Sequence, residues 1–135
     1  MTLLSKKVKV IPRKIIKDSR GWFLKVIDGF EENLPKYTGE VYITSGIKGE
    51  SKGGHYHVQA NEWFTLIEGK CQLKLVDVKS GEKLLINLSS EIPETIFVPN
   101  NVAHIFVNKS DNNFILLAYS DQLFDPVDTI AYMEF

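Results

Sequence analysis

What most restricts the fold of this chain is its punctuation: short β-prone runs closed by turn residues, recurring about every ten residues. Val8–Ile11 opens the series, Gly21–Ile27 follows the turn Asp18-Ser19-Arg20-Gly21, and Glu40–Thr44 follows a break over Pro35–Gly39. Then come Trp63–Ile67, Cys71–Val78, Lys83–Leu88, Thr95–Val98, His104–Val107 and Phe114–Tyr119. The separators are turn chemistry: Glu68-Gly69-Lys70, Lys79-Ser80-Gly81-Glu82, Pro99-Asn100-Asn101 and Ser110-Asp111-Asn112-Asn113. Gly69 and Gly81 can supply the positive φ that tight hairpins require. No long stretch carries apolar residues at helical spacing. Phe30–Leu34 has room for one helical turn, and Pro126 within Asp121–Tyr132 argues against a regular helix there. The expectation is an all-β domain of roughly eight or more short strands, closed into a barrel that removes exposed edges.

At 135 residues the chain fits one domain, residues 1–135, with room for a real core. A net charge of −1 excludes a general electrostatic attraction to nucleic acid or to an anionic membrane, and nothing resembles a DNA-reading helix. Charge is uneven at the start, where Lys6, Lys7, Lys9, Arg13, Lys14, Lys17 and Arg20 are opposed by Asp18 alone. A solvated basic face is the favoured reading of that run. The same segment, Leu3–Ile11, alternates apolar and basic residues and is a natural strand to add to a partner's sheet, which predicts a homodimer. Cys71 is the sole cysteine, so an intrachain disulfide and a cysteine-based zinc site are excluded. No apolar run approaches the length of a membrane span and the N-terminus has no secretory pattern, so a cytoplasmic location is expected.

Chemistry concentrates in two stretches. The first, Gly49 to Gly69, reads G-ESKGG-H-Y-H-VQAN-E-WFTLIE-G. His55 and His57 are two apart, so on a strand both face one side and Tyr56 the other. Glu62 stands where the pattern turns apolar again, and a tight connection places it on the next strand facing the same interior. Gly53 and Gly54 allow close approach of backbone to a ligand. The second stretch, P-NNVA-H-IFV-N from Pro99 to Asn108, supplies His104 from a later strand. Three imidazoles and a carboxylate make a plausible site for one divalent ion, with coordination positions left open. The three histidines of the chain all fall on these positions.

The spacing G-x5-H-x-H-x4-E-x6-G followed by P-x4-H-x3-N resembles the paired motif of the cupin superfamily, which implies a double-stranded β-helix, or jelly-roll barrel. Two positions of the second motif depart from it: Pro93 and Asn101 stand where glycines are usual, and asparagine tolerates the left-handed conformation. A wider likeness covers D-S-R-G-W-F-L, K-G-G-H-Y-H, V-P-N-N-V-A-H and A-Y-S-D-Q-L-F-D-P. These resemble the sugar-nucleotide cupins: dTDP-4-keto-6-deoxyhexose 3,5-epimerases, dTDP-sugar 3,4-ketoisomerases and the cupin domain of capsular polysaccharide enzymes.

The resemblance implies an isomerase or epimerase acting on a nucleotide-linked 4-keto-6-deoxy sugar in surface polysaccharide synthesis. His55 matches the catalytic base, and His57 or a metal on His55, His57, Glu62 and His104 stabilises the oxyanion. Tyr42 and Tyr119 are candidates for the general acid, although both alternate with apolar residues as core side chains do. Arg20 matches an arginine that pairs with nucleotide phosphates, Lys52 is the basic residue before the first histidine, and Glu62 is a further substrate contact. The cofactor expected is at most one divalent metal, Zn, Mn, Fe or Ni, with no organic cofactor. Lys25 stands where the 3,5-epimerases carry a glutamate, and Lys52, Tyr56 and His104 depart from the ketoisomerases. Two other classes stay open: another metal-dependent cupin enzyme, such as an oxygenase or small-sugar isomerase, and a non-catalytic sugar-binding cupin. A phosphate anchor at the pocket mouth, Arg20 with a second cation, discriminates the nucleotide-sugar enzymes from an oxygenase.

Overall fold

The computed structural model describes residues 2–37 and 39–135. Among them a short helix α1 (Leu3–Lys7) precedes twelve strands. These are β1 (Lys9–Pro12), β2 (Ile15–Asp18), β3 (Gly21–Leu24), β4 (Val41–Gly46), β5 (Ser51–His57), β6 (Glu62–Glu68), β7 (Lys70–Asp77), β8 (Lys83–Ser89), β9 (Glu94–Val98), β10 (Val102–Val107), β11 (Phe114–Ser120) and β12 (Thr129–Ala131). They form two five-stranded antiparallel sheets, β1-β9-β6-β11-β4 and β12-β5-β10-β7-β8, and a separate hairpin β2-β3. The crossed order, with sequence neighbours β5 and β6 in different sheets, is the jelly roll expected from the motifs. Full closure is not seen: β4 ends its sheet as an edge, with Val41 and Ile43 exposed. The single helical turn expected over Phe30–Leu34 is absent; the segment bends without helical hydrogen bonding.

The inward residues of the two sheets make one core of Phe64, Leu66, Leu73, Leu75, Ile96, Val98, Phe106, Phe114 and Leu116, each at most 2% exposed. Leu4 plugs one end of it. Thr2 caps α1 by accepting from Ser5 N at 3.2 Å, and Lys7 pairs with Asp77 at 2.6 Å. Of the segment Leu3–Ile11, expected as a strand for a partner's sheet, Leu3–Lys7 is instead helical, and β1 pairs with β9 of its own chain at the end of that sheet. The reason is burial, since Leu4 and Val8 gain more by entering the core than an alternating exposed strand could.

The basic run also divides. Arg13 is buried in a bidentate pair with Glu31, at 3.0 and 2.6 Å, and donates from Nε to Thr95 Oγ1 at 2.7 Å. It fastens the segment after the hairpin across the outside of the first sheet, where Trp63 Nε1 donates to Asn33 O at 2.8 Å. Arg13 thus leaves the solvated face assigned to it from sequence.

Candidate active site and metal centre

Three strands bring the motif residues together. His55 and His57 share a face of β5, Glu62 opens β6, and His104 on β10 lies opposite His55 in register. The register shifts between His104 and Ile105, a bulge whose unpaired residue is Gly54, with Gly53 and Gly54 both at positive φ. Gly53 has φ +100, and a Cβ there would come within 2.7 Å of the His104 carbonyl oxygen, so only glycine lets the two backbones approach this closely. Asn101, with φ 61, turns the chain into β10 in the left-handed conformation expected for the glycine position it occupies. Its amide donates to His57 O at 2.7 Å, tying the two motifs.

One ligand atom from each of His55, His57, Glu62 and His104 lies within 4.8 Å of every other. Bonds of about 2.1 Å to a shared ion put tetrahedral ligands roughly 3.4 Å apart, so a modest contraction of the side chains completes the set. Glu62 Oε1 stands 2.8 Å from His57 Nε2 and 3.3 Å from His104 Nε2. Yet His57 Nε2, Glu62 Oε1 and His104 Nε2 are buried without any well-directed hydrogen bond. His104 Nδ1 lies 3.1 Å from Val102 O. A carbonyl can only accept, so Nδ1 carries a proton and Nε2 is left to face the carboxylate. Two imidazole nitrogens and a carboxylate oxygen buried together without well-directed hydrogen bonds suit a cation among them, and the site fits one divalent ion.

The electrostatics follow from that crowding. Burial alone would raise the Glu62 carboxyl, but the His104 and His57 imidazoles outweigh it and hold it well below the usual carboxylate range. His55 is pushed down to about 4, first by burial and then by the His104 and His57 rings, so it is neutral at pH 7. Burial also opposes charge on His57, but Glu62 and Asp128 overcome it and raise that group. Tyr42 donates from its hydroxyl to Glu62 Oε2 at 3.3 Å. Burial and then the Glu62 charge lift this phenol well above its ordinary value, which keeps it protonated.

These groups open on a cavity of about 200 Å³. Its lining includes Tyr42, His55, His57 and Glu62, with Glu40, Phe124 and Asp125 near them, and no lysine or arginine among the described residues. The other expected site residues stand elsewhere. Tyr119 is on the opposite face from Tyr42: its hydroxyl donates to Tyr37 O at 3.2 Å and its ring meets Trp63 edge-on. The cause is register, since Ala118 lies opposite Tyr42 and Tyr119 opposite Val41. Arg20 sits at the tip of the β2–β3 hairpin, its side chain 88% exposed and paired with Asp18 at 2.7 Å. Lys52 is exposed beyond the bulge and does not line the cavity. Asp128 and Asn61 were not singled out from sequence. The acid lies two residues beyond the A-Y-S-D-Q-L-F-D-P stretch.

Comparison with known proteins agrees with this fold. Residues 16–132 match the family described as polysaccharide biosynthesis C-terminal domain. The chain is 22% identical over 115 residues to a UDP-2-acetamido-2,6-β-L-arabino-hexul-4-ose reductase of Pseudomonas aeruginosa, covering 85% of this chain and 29% of that protein. The chain thus spans less than a third of that curated relative. Among solved structures, a dTDP sugar isomerase from Desulfovibrio desulfuricans superposes with a TM-score of 0.86 at 15% identity, covering 94% of this chain and 84% of that one. A dTDP-6-deoxy-D-glucose-3,5-epimerase from Legionella pneumophila, solved with dTDP-4-keto-L-rhamnose, gives 0.83 at 21% identity, covering 96% and 74%. The match runs through the hairpin, both motifs and the closing strand, so this chain, a cupin by fold, belongs to the polysaccharide biosynthesis C-terminal domain family.

Proposed function

We propose that this protein is an isomerase or epimerase of a nucleotide-linked 4-keto-6-deoxy sugar, working by proton transfer beside the keto group in surface polysaccharide synthesis. The carrying observation is that a neutral imidazole, a protonated phenol and a set of orphaned ligand atoms converge on one cavity. A 4-keto group acidifies the protons on C3 and C5. His55, held neutral, accepts one of them, and Tyr42, held protonated against Glu62, is placed to return a proton to the resulting enolate. His57, Glu62 and His104 would hold a divalent ion, with His55 able to complete the set; when bound, the ion supplies Lewis-acid stabilisation of the enolate oxygen. Zn, Mn, Fe and Ni all suit imidazole and carboxylate donors. The relatives support the substrate class, one being named for a UDP-linked hexul-4-ose and another solved with a dTDP-linked 4-keto sugar.

The reading includes a homodimer. A nucleotide diphosphate needs cations, and the cavity lining within one chain has none among the described residues. Arg20 is presented instead on a hairpin whose Trp22 and Phe23 are both 57% exposed, a surface suited to a second copy. The reading takes the cytoplasm as the protein's location; no helix among the described residues is long and apolar enough to cross a membrane.

The test is a thermal-shift panel of UDP- and dTDP-sugars with and without chelator, followed by proton NMR of the best binder in deuterated water. Occupied native protein melts higher, and the reading requires loss of the C3 or C5 proton signal. A nucleotide sugar that binds without exchange would make the protein a sugar-binding cupin. Absence of any shift across the panel would turn the search toward oxygenase chemistry.

A further inference from the structure

The cavity is walled by four carboxylates, those of Glu40, Glu62, Asp125 and Asp128, and by no lysine or arginine among the described residues. Three of the four are engaged within the chain. Glu62 faces two imidazoles and the Tyr42 hydroxyl. Asp128 accepts from Val58 N and Gln59 N on Oδ1, at 3.1 and 2.7 Å, and from Ala60 N on Oδ2 at 3.1 Å. Asp125 Oδ1 accepts from Val127 N at 3.0 Å. Glu40 differs. Its carboxylate has no hydrogen bond or ion pair among the described residues, although the residue is half-buried in the cavity wall.

The fold holds Glu40 there. Ser120 N donates to Glu40 O at 2.8 Å and Ser120 pairs with Glu62 in register, so Glu40, Ser120 and Glu62 stand in one row across the first sheet. Neighbouring strands lie about 4.8 Å apart, which sets the two glutamate backbones roughly 10 Å from each other. A Cβ at Gly39 would meet the carbonyl oxygens of Ser120 and Gln122, so glycine is what lets this segment lie against the end of β11.

Size and charge together limit what enters. The cavity of about 200 Å³ is smaller than the roughly 300–1,000 Å³ that encloses a whole drug-sized ligand. It suits the ring of a nucleotide sugar and leaves the nucleotide outside. Glu62 Oε1, buried in the wall without a well-directed hydrogen bond, shows that the interior is built to meet a ligand. A divalent ion balances the charge of only two carboxylates, so the wall stays anionic even around a bound metal. A carboxylate with no donor of its own accepts from hydroxyl, amide or ammonium groups and repels a second anion.

We propose that Glu40 is a specificity-determining residue, which admits a sugar ring bearing hydroxyl or amine donors and turns away a ring that carries a carboxylate. The inference rests on the nucleotide-sugar reading above and narrows it: uronic acid derivatives are excluded, and the diphosphate stays outside the cavity.

The test is a calorimetric titration of the full chain with UDP-glucose and UDP-glucuronate, which share nucleotide and ring and differ in the C6 carboxylate. Wild type is expected to bind UDP-glucose at least about tenfold more tightly, with or without one equivalent of zinc. Glu40→Gln is expected to narrow that ratio at least about threefold, chiefly by tighter binding of the glucuronate. Glu50→Gln, which removes an exposed carboxylate outside the cavity lining, is expected to leave the ratio as it is. Wild-type affinities that are equal, or that favour the glucuronate, in either condition overturn the proposal whether or not the variant folds. So does a ratio that Glu40→Gln leaves unmoved, or that Glu50→Gln narrows equally. Wild type that binds neither compound overturns it together with the nucleotide-sugar reading. The deuterium experiment otherwise separates the two. Preference for UDP-glucose without C3 or C5 exchange in any 4-keto sugar supports Glu40 and removes the isomerase reading. Exchange accompanied by equal affinities keeps the isomerase reading and removes Glu40.

Discussion

Glu62 is the residue on which the others depend: one oxygen faces two imidazoles and the other accepts the Tyr42 hydroxyl. His55 stands apart from that set, neutral and open to the cavity, and its removal is the sharpest single-residue test. His55→Asn should keep the fold while lowering deuterium exchange into the sugar by about 10²–10⁴, as loss of a positioned general base does. Unchanged metal content in the same sample assigns the loss to the base, whereas reduced metal content with recovery on added metal assigns it to ligation. His55 also predicts a pH dependence in chelator-treated protein. Its folded value of about 4 lies below the ordinary 6.5, so between these the unfolded chain binds more protons and stability falls as pH drops. The Glu62 shift has the same sign but acts at lower pH, and the raised His57 acts oppositely, its contribution fading as pH rises above 6.5. A melting-temperature scan from pH 7 to 4.5 should therefore slope downward, and the slope should flatten in His55→Asn. An unaltered slope in the variant would remove His55 as its source.

At the scale of elements, the site depends on a bulge between β5 and β10 formed by Gly53 and Gly54. Gly53→Ala introduces a Cβ at 2.7 Å from the His104 carbonyl, at a φ of +100 that side chains rarely adopt. Backbone strain of this kind costs about 1–3 kcal/mol. Urea unfolding should show that loss together with weaker zinc binding, because the neighbour displaced is the backbone of a ligand. Gly81→Ala, with open space around its added Cβ and φ +79, should cost stability and leave zinc binding alone. Equal effects of the two changes on zinc would mean the bulge has no special part in the site. The short elements absent from the strand pattern, α1, β2 and β12, are too brief for periodicity to register. α1 is legible in its cap and in Leu4, and β12 in its pairing with β5.

For the whole molecule, a homodimer is the largest commitment. Sedimentation at micromolar concentration should return twice the chain mass, and Arg20→Ala should weaken binding of a nucleotide diphosphate without shifting that mass, since Arg20 meets solvent and Asp18 within its own chain. A clean monomer that still binds the nucleotide would defeat the assignment of Arg20 across the interface.

Much of the architecture was legible in the sequence by itself. Strand and turn chemistry are local, so β6 through β11 appear where the runs and breaks place them, and period two puts His55 and His57 on one face before any fold is known. The left-handed turn at Asn101 is local in the same way. What only the tertiary structure decided are the relations between strands far apart in the chain. Tyr42 and Tyr119 are equivalent as alternating aromatics, and the register of β4 against β11 alone turns the first into the cavity and the second out. Arg13 and Arg20 are alike in a basic run until burial against Glu31 takes one and leaves the other on the hairpin tip. Asp128 gains its meaning from amides some seventy residues earlier, and no local pattern encodes that meeting. Pairing across such distances is set by which faces the packed core must bury, and a one-residue change of register would exchange every inside for an outside.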